Sequence, residues 1–283
     1  MMEKFEEFLN NFRDHDLDVL IFFKKLNLVL DLDHTLLHAI KTSLLTLEDK
    51  QLINPNKLHG ILNGALLVKF RPGVEAFLNE VSTMFNLSIF TMANQAYAKA
   101  VATLLEGHGN GFHFREVLSR EDCVTWRKKT LELMMSHERV TLIVDDTEDV
   151  WRDGKKPSYC ETNLIKIAPY WFFPTKGVED EGAMDEELAR VLRTLRSVHG
   201  AFYGGGDDLN EDGDEVDYSN RDVREVLKSI REEEPKGDDD GSRIEINRKR
   251  SHGDCFEQSL NVCEPAKRLK TDTVVNLPCI ASC

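Results

Sequence analysis

The chain has 283 residues, of which 41% are hydrophobic and 30% charged, with a formal net charge of −14. That profile describes a soluble globular protein with one sizeable core and appended segments, and its acidity disfavours non-specific binding to nucleic acid. Between positions 207 and 240 stand 15 acidic and 5 basic residues, so this stretch supplies 10 of the 14 net negative charges and leaves the preceding region near neutral, able to accept an anionic substrate.

Residues 1–25 read as a helical lead-in that packs through Phe5, Phe8, Leu9 and Phe12, which recur at helical spacing. Its longest apolar run, 19–23, stops at Lys24 and Lys25, too short for a membrane span or anchor. From 26 to 168, apolar runs at 26–30, 66–70, 87–92, 140–144 and 164–168 alternate with helical patterns, which predicts an α/β domain with a mainly parallel sheet. Pro72 opens a helix carrying Val74, Phe77, Leu78 and Val81, because proline suits a first helical turn whose N–H groups are unpaired anyway. A second helix is expected over 96–105, and a third over 185–200, where Leu188, Val191, Leu192, Leu195 and Val198 share a face. Gly204, Gly205 and Gly206 then end ordered structure, and the acidic remainder, 204–283, is expected to be largely disordered apart from a helical candidate at 223–230. The six cysteines form no C-x-x-C pair, and four lie in the tail, so neither a zinc site nor a disulfide framework is indicated and a reducing intracellular compartment is expected. Cys279 is one position too early for prenylation.

The residues that carry chemistry cluster at predicted strand ends. Leu28-Val29-Leu30 runs into Asp31-Leu32-Asp33-His34-Thr35, and strand alternation puts Asp31 and Asp33 on one side. Ligands of open α/β sheets bind beyond the carboxyl ends of the strands, where these two carboxylates would stand. A second run, Thr141-Leu142-Ile143-Val144, ends in Asp145-Asp146. Four converging carboxylates repel one another unless a cation sits among them, and an all-oxygen set suits a hard ion such as magnesium, Mg2+. The blander reading is two acidic turns that never meet. Thr91 closes the strand Leu87-Ser88-Ile89-Phe90, where a hydroxyl and backbone amides can hold a phosphate oxygen, and Lys128 or Lys129, which precede the Asp145 strand by a helix-like segment, can neutralise a transferring phosphoryl group.

This order of Asp-x-Asp-x-Thr, Thr, Lys and Asp-Asp resembles the haloacid dehalogenase superfamily. Within it, Asp31-Leu32-Asp33-His34-Thr35-Leu36-Leu37-His38, Val68-Lys69-Phe70-Arg71-Pro72-Gly73-Val74, Phe90-Thr91-Met92-Ala93-Asn94-Gln95-Ala96-Tyr97-Ala98 and Val144-Asp145-Asp146-Thr147-Glu148-Asp149-Val150-Trp151 are similar to the RNA polymerase II C-terminal domain phosphatases, over residues 26–203. The resemblance implies a haloacid dehalogenase-like Rossmannoid parallel sheet with flanking helices. It also implies a phosphoprotein phosphatase in which Asp31 is the nucleophile, Asp33 the general acid and base, and magnesium is held by Asp31, the backbone carbonyl of Asp33, and Asp146. Asp145 would pair with the lysine, taken as Lys129 because Lys129-Thr130-Leu131 aligns with the family's Lys-Asp-Leu or Lys-Asn-Leu; the threonine departs from that pattern and keeps Lys128 in play. Thr35 would brace the aspartate loop. Arg71, Trp151 and Tyr170 look structural, and His34 and His38 have no required role.

The expected substrate is the phosphorylated C-terminal repeats of RNA polymerase II, with another nuclear phosphoprotein, or a non-catalytic phosphopeptide-docking scaffold, as the alternatives. A small-molecule phosphatase would need a cap, and residues 38–65 are too short for a large one, which favours an open groove for an extended peptide. The phosphopeptide-binding BRCT module found after some catalytic domains of this group is expected to be missing, although 221–230 resembles the linker that precedes it. Pro265-Ala266-Lys267-Arg268-Leu269-Lys270, with Arg248-Lys249-Arg250 upstream, reads as a nuclear-import cluster, so a nuclear protein with import-receptor and transcription-factor contacts through its tail is expected.

Overall fold

The computed structural model describes residues 2–52, 57–125, 127–152, 154, 158–173, 184–204, 218 and 220–233. All of them belong to the first of two units, Met1–Asn247 and Arg248–Cys283. The expected nuclear-import cluster and most of the acidic stretch lie outside the described residues.

Five parallel strands form the central sheet in the order β6-β5-β1-β7-β8: β1 (Leu26–Leu30), β5 (Phe85–Phe90), β6 (Val117–Leu118), β7 (Thr141–Asp145) and β8 (Leu164–Lys166). The parallel pairing predicted from the apolar runs is observed at each junction. β1 lies in the middle with every residue buried, as expected of a continuous apolar strand covered on both faces. The chain runs outward from β1 through β5 to β6 and then returns to β7 on the other side, so the strand order reverses between β1 and β7. That reversal opens a crevice at the carboxyl ends of these two strands.

Helices cover the sheet where periodicity placed them. α3 (Val74–Met84) buries Val74, Phe77, Leu78 and Val81, and α4 (Gln95–His108) follows Asn94, whose side chain accepts the Tyr97 N–H. α6 (Glu186–Tyr203) buries Leu188, Val191, Leu192, Leu195 and Val198. A fully buried side chain of this kind contributes about 1.5–3 kcal/mol relative to an exposed one. α3 starts two residues after Pro72, because Gly73 takes φ +79° at its cap, and a Cβ there would lie 2.7 Å from the Met184 Cα.

Three expectations need correction. Leu66–Phe70 (β4) is not in the parallel sheet: it pairs antiparallel with β2 (Leu37–Lys41) and β3 (His59–Ile61) in a separate three-stranded sheet. Leu62 and Asn63 both take positive φ and fold β3 back onto β4, as a tight hairpin requires. α1 (Met2–Phe22) packs through Leu17 and Leu20, whereas Phe8 and Phe12 are exposed; contact made by the second half of the helix decides which face is inside. The stretch after Lys129 forms 3-10 turns at Leu131–Leu133 and Glu138–Val140 rather than a helix, the first capped by the Thr130 hydroxyl. Beyond Gly204 the expected helical candidate is observed, three residues longer than the predicted 223–230. α7 (Val223–Glu233) buries Val223 and Leu227, and Arg231 donates to the carbonyls of Glu161 and Leu164 beside the short α5 (Tyr159–Thr162). The remaining helix, α2 (Leu47–Leu52), lies between β2 and β3. Among the described residues no helix is long and apolar enough to cross a membrane.

Candidate active site

The two acidic pairs meet. Asp31 follows β1 and Asp145 closes β7, and one carboxylate oxygen each from Asp31, Asp145 and Asp146 falls within 4.8 Å of the others. Lys129, 1% exposed, donates to Asp31 Oδ1 and to Asp145 Oδ2, both at 2.7 Å. Its neighbour Lys128 points elsewhere and donates to the Asp149 carbonyl at 2.7 Å, so only Lys129 reaches the cluster. The ammonium also lies 5.7 Å from the Phe90 ring and 5.5 Å from that of Trp151.

Electrostatics sort the carboxylates. Burial pushes Asp31 well above the usual carboxylate range, with Lys129 opposing and Asp145 and Asp146 reinforcing the rise. Asp146 is pushed to about 7 by burial and by the neighbouring Asp145 charge. Burial works against the Lys129 charge, but Asp145 and Asp31 outweigh it and hold the ammonium more firmly protonated than usual. Asp33 is raised to about 6, mainly by burial, with the hydrogen bond from Tyr97 opposing. Tyr97 donates its hydroxyl to Asp33 Oδ1 at 2.6 Å, and Asp33 Oδ2 is buried without a hydrogen-bond partner. An orphaned buried carboxylate oxygen is costly as an anion and favours the protonated acid.

The other expected residues frame this cluster. The Thr35 hydroxyl accepts the Asp146 N–H at 3.1 Å, tying one acidic loop to the other. Thr91 is 1% exposed and its oxygen accepts the Ala93 N–H at 3.1 Å, which shapes the loop after β5. Arg71, 2% exposed, donates to Asp185 and to the Thr35 and Ala168 carbonyls, a structural clamp. His38 accepts the Phe172 and Phe173 N–H groups on Nδ1, and burial lowers it to about 3, so it is a neutral acceptor.

Two residues escaped the reading of the sequence. Tyr97 was not assigned to the site, and the available signal was that a tyrosine on a buried helix face needs a partner for its hydroxyl. Trp151 was read as packing alone; it is fully buried, and its indole N–H also donates to Asp145 Oδ2 at 2.8 Å. A cleft of about 610 Å³ lined by Lys25, Asn86, Phe112 and Arg115 lies near the amino ends of β1 and β5 and contains none of these groups. The cluster therefore faces the crevice at the strand ends rather than this cleft.

The same architecture occurs in solved structures. "The Structure of Fcp1, an essential RNA polymerase II CTD phosphatase" superposes with a TM-score of 0.58 at 23% identity, over 77% of this chain and 73% of that one. A point variant of the fission yeast RNA polymerase II CTD phosphatase Fcp1, bound to beryllium fluoride, gives 0.59 at 21% identity, over 77% and 74%. The fold is thus the one seen in these Fcp1 structures. Residues 26–203 match the family model of NLI interacting factor-like phosphatases, and the chain belongs to that family. An RNA polymerase II C-terminal domain phosphatase-like protein of Arabidopsis thaliana is 35% identical over 259 residues, which are 82% of this chain and 55% of the relative. The corresponding phosphatase of Schizosaccharomyces pombe is 33% identical over 164 residues, 53% of this chain and 22% of that protein. The chain thus spans about half the length of the first of these relatives and less of the second.

Proposed function

We propose that this chain is a magnesium-dependent phosphoprotein phosphatase that works through an aspartyl-phosphate on Asp31, acting in the nucleus on phosphorylated C-terminal repeats of RNA polymerase II. The observation that carries the reading is the asymmetric set of carboxylates: Asp31 on Lys129, and Asp33 with a buried, unpartnered Oδ2.

The residues fit a hard divalent cation. Three clustered carboxylates face one ammonium, and two of them are pushed toward protonation by burial and by one another. Asp31, Asp146 and the Asp33 backbone carbonyl would hold it, with Asp145 kept by Lys129. When bound, the ion neutralises charge on the phosphoryl group and on its nucleophile. The remaining chemistry belongs to the chain. Asp31 attacks phosphorus in line; the seryl or threonyl oxygen leaves with the proton from Asp33 Oδ2; and Asp33, now ionised, takes a proton from the water that opens the aspartyl-phosphate. Lys129 keeps Asp31 oriented and offsets charge on the transferring oxygens. The Thr91 hydroxyl is a donor to one of these oxygens, and Thr35 holds the Asp146 loop in place. The repeat substrate and the nuclear setting rest on the names of the Arabidopsis and fission yeast relatives.

The test is phosphate release from a doubly phosphorylated heptad-repeat peptide, with magnesium and with chelator, for wild type and Asp31→Asn. Magnesium-dependent release lost in the variant is expected. No release from folded wild type would overturn the reading in favour of another phosphoprotein substrate or a docking scaffold.

A further inference from the structure

We propose that the apolar stripe left exposed along α1 is a self-association surface, covered in solution by the same helix of a second copy of this chain lying antiparallel to it.

The stripe is laid out in the sequence. Phe8, Phe12, His15, Val19 and Phe22 follow one another at intervals of four, three, four and three residues, and Phe23 flanks the last of them. That repeat of about 3.5 residues keeps a narrow seam facing another helix, whereas a face packed on a globular core is wider. The structure leaves the seam in water: its four phenylalanines and Val19 are 39% to 81% exposed, and His15 is exposed as well. A different face meets the domain, roughly a third of a turn away, through Asp16, Leu17 and Leu20. There Asp16 pairs with Arg115, and the Leu20 carbonyl accepts the Tyr203 hydroxyl.

The two halves of α1 differ in what holds them. The ties to the domain run from Arg13, Asp14, Asp16 and Leu20, and none of the described side chains before Asp16 is buried. A helix draws most of its stability from packing an apolar face, so the first three turns, with Phe8 and Phe12, call for a partner. The area of the stripe selects which one. Four phenylalanines and a valine at these exposures present roughly 500 Å² of apolar surface, at the upper end of what a monomer leaves in one patch. Apolar atoms make up roughly 60% of an interface, so covering the stripe and its borders buries roughly 800 Å² on each copy, the share that a stable dimer needs. A second α1 brings a seam of the same length and repeat, and a twofold axis then covers both stripes at once. In the antiparallel register Phe8 meets Val19 of the second copy and Phe12 meets its His15, so the unanchored half of each helix lies on the anchored half of the other. A parallel pair would set His15 against His15 and align the two helix dipoles.

The test is sedimentation equilibrium of the full chain from about 1 to 100 μM, for wild type, Phe8→Glu/Phe12→Glu, and Asn10→Glu, which puts the same charge on the opposite side of the helix. Wild type and Asn10→Glu are expected to dimerise with a dissociation constant on the order of 10 μM, and the double variant to stay monomeric, a weakening of at least about tenfold. Thermal melting at the lowest concentration confirms that the variants are folded, and Phe22→Glu, at the other end of the seam, repeats the test if the double variant is not. Orientation is read from a charge swap: Phe8→Lys and Val19→Glu each weaken the dimer, and combined they recover part of it only where the two residues meet. Monomeric wild type at about 100 μM overturns the inference and assigns the stripe to another segment or another protein. A dimer that survives Phe8→Glu/Phe12→Glu, or one broken equally by Asn10→Glu, overturns it too, and losses that simply add in the charge swap overturn the antiparallel pairing.

Discussion

The carboxylate pairs at the ends of β1 and β7 look alike in the sequence but are treated differently by the fold. Asp145 receives three donors, from Lys129 and Trp151 on Oδ2 and from the Thr147 N–H on Oδ1. Asp31 shares the same lysine, whereas Asp33 has only Tyr97, on one oxygen. Spacing thus creates four carboxylates, and the fold treats each differently: Asp145 is held by three donors, Asp31 shares the buried lysine, and burial raises Asp33 to about 6 and Asp146 to about 7.

That division can be broken at each point. The largest effect is expected at Asp31: Asp31→Asn keeps the shape but loses the attacking charge, and phosphate release should fall on the order of 10⁴-fold with melting temperature unchanged. Residual turnover above a few per cent would return the nucleophile's role to another group. Lys129→Met should follow, costing about 3–5 kcal/mol in denaturant unfolding, because it leaves buried carboxylates without their cation. Lys128→Ala should stay within about 0.5 kcal/mol, and equal costs for the two would show that the site does not depend on which lysine is buried. Trp151→Phe retains a ring but removes the donor to Asp145, with an expected loss of about 1–3 kcal/mol in the same assay.

The pH profile sharpens the comparison. In the proposed reaction Asp33 must carry a proton in the first step, and burial pushes its pKa up to about 6, so the acid is competent below that value and is lost as pH rises through it. The kcat/KM for phosphopeptide should decline about tenfold per pH unit above about 6, and a profile flat to pH 8 would remove Asp33 from the acid's role. A modest effect is expected from Thr35→Val, which deletes the acceptor for the Asp146 N–H: about 1 kcal/mol of stability, against a far smaller loss of turnover than Asp31→Asn produces.

Most of the framework was legible because it is local. β1, β5, β7 and β8 are apolar runs, and the buried faces of α3, α4 and α6 repeat at the helical period. The acidic pairs were readable for the same reason, since each sits at the end of such a run. Leu66–Phe70 was misplaced because its composition matches that of a parallel strand, whereas its partners, Leu37–Lys41 and His59–Ile61, are short and partly polar. Tyr97 and the Trp151 N–H could not be read as parts of the site, because their partners lie 64 and 6 residues away and no spacing rule links them. The exposed phenylalanines of α1 show the converse, since a helical repeat identifies a face without saying which face is covered.

The indole of Trp151 gives the molecule an optical consequence. Its N–H is bonded to Asp145 and its ring lies 5.5 Å from the Lys129 ammonium, so this chromophore sits inside the field of the charges of the proposed site. Any event that adds or removes charge there, such as cation loading or phosphoryl transfer to Asp31, must change the local field on its excited state. With Trp126 and Trp171 replaced by phenylalanine, emission from the remaining tryptophan becomes a built-in clock for the individual steps of a turnover, read without a label.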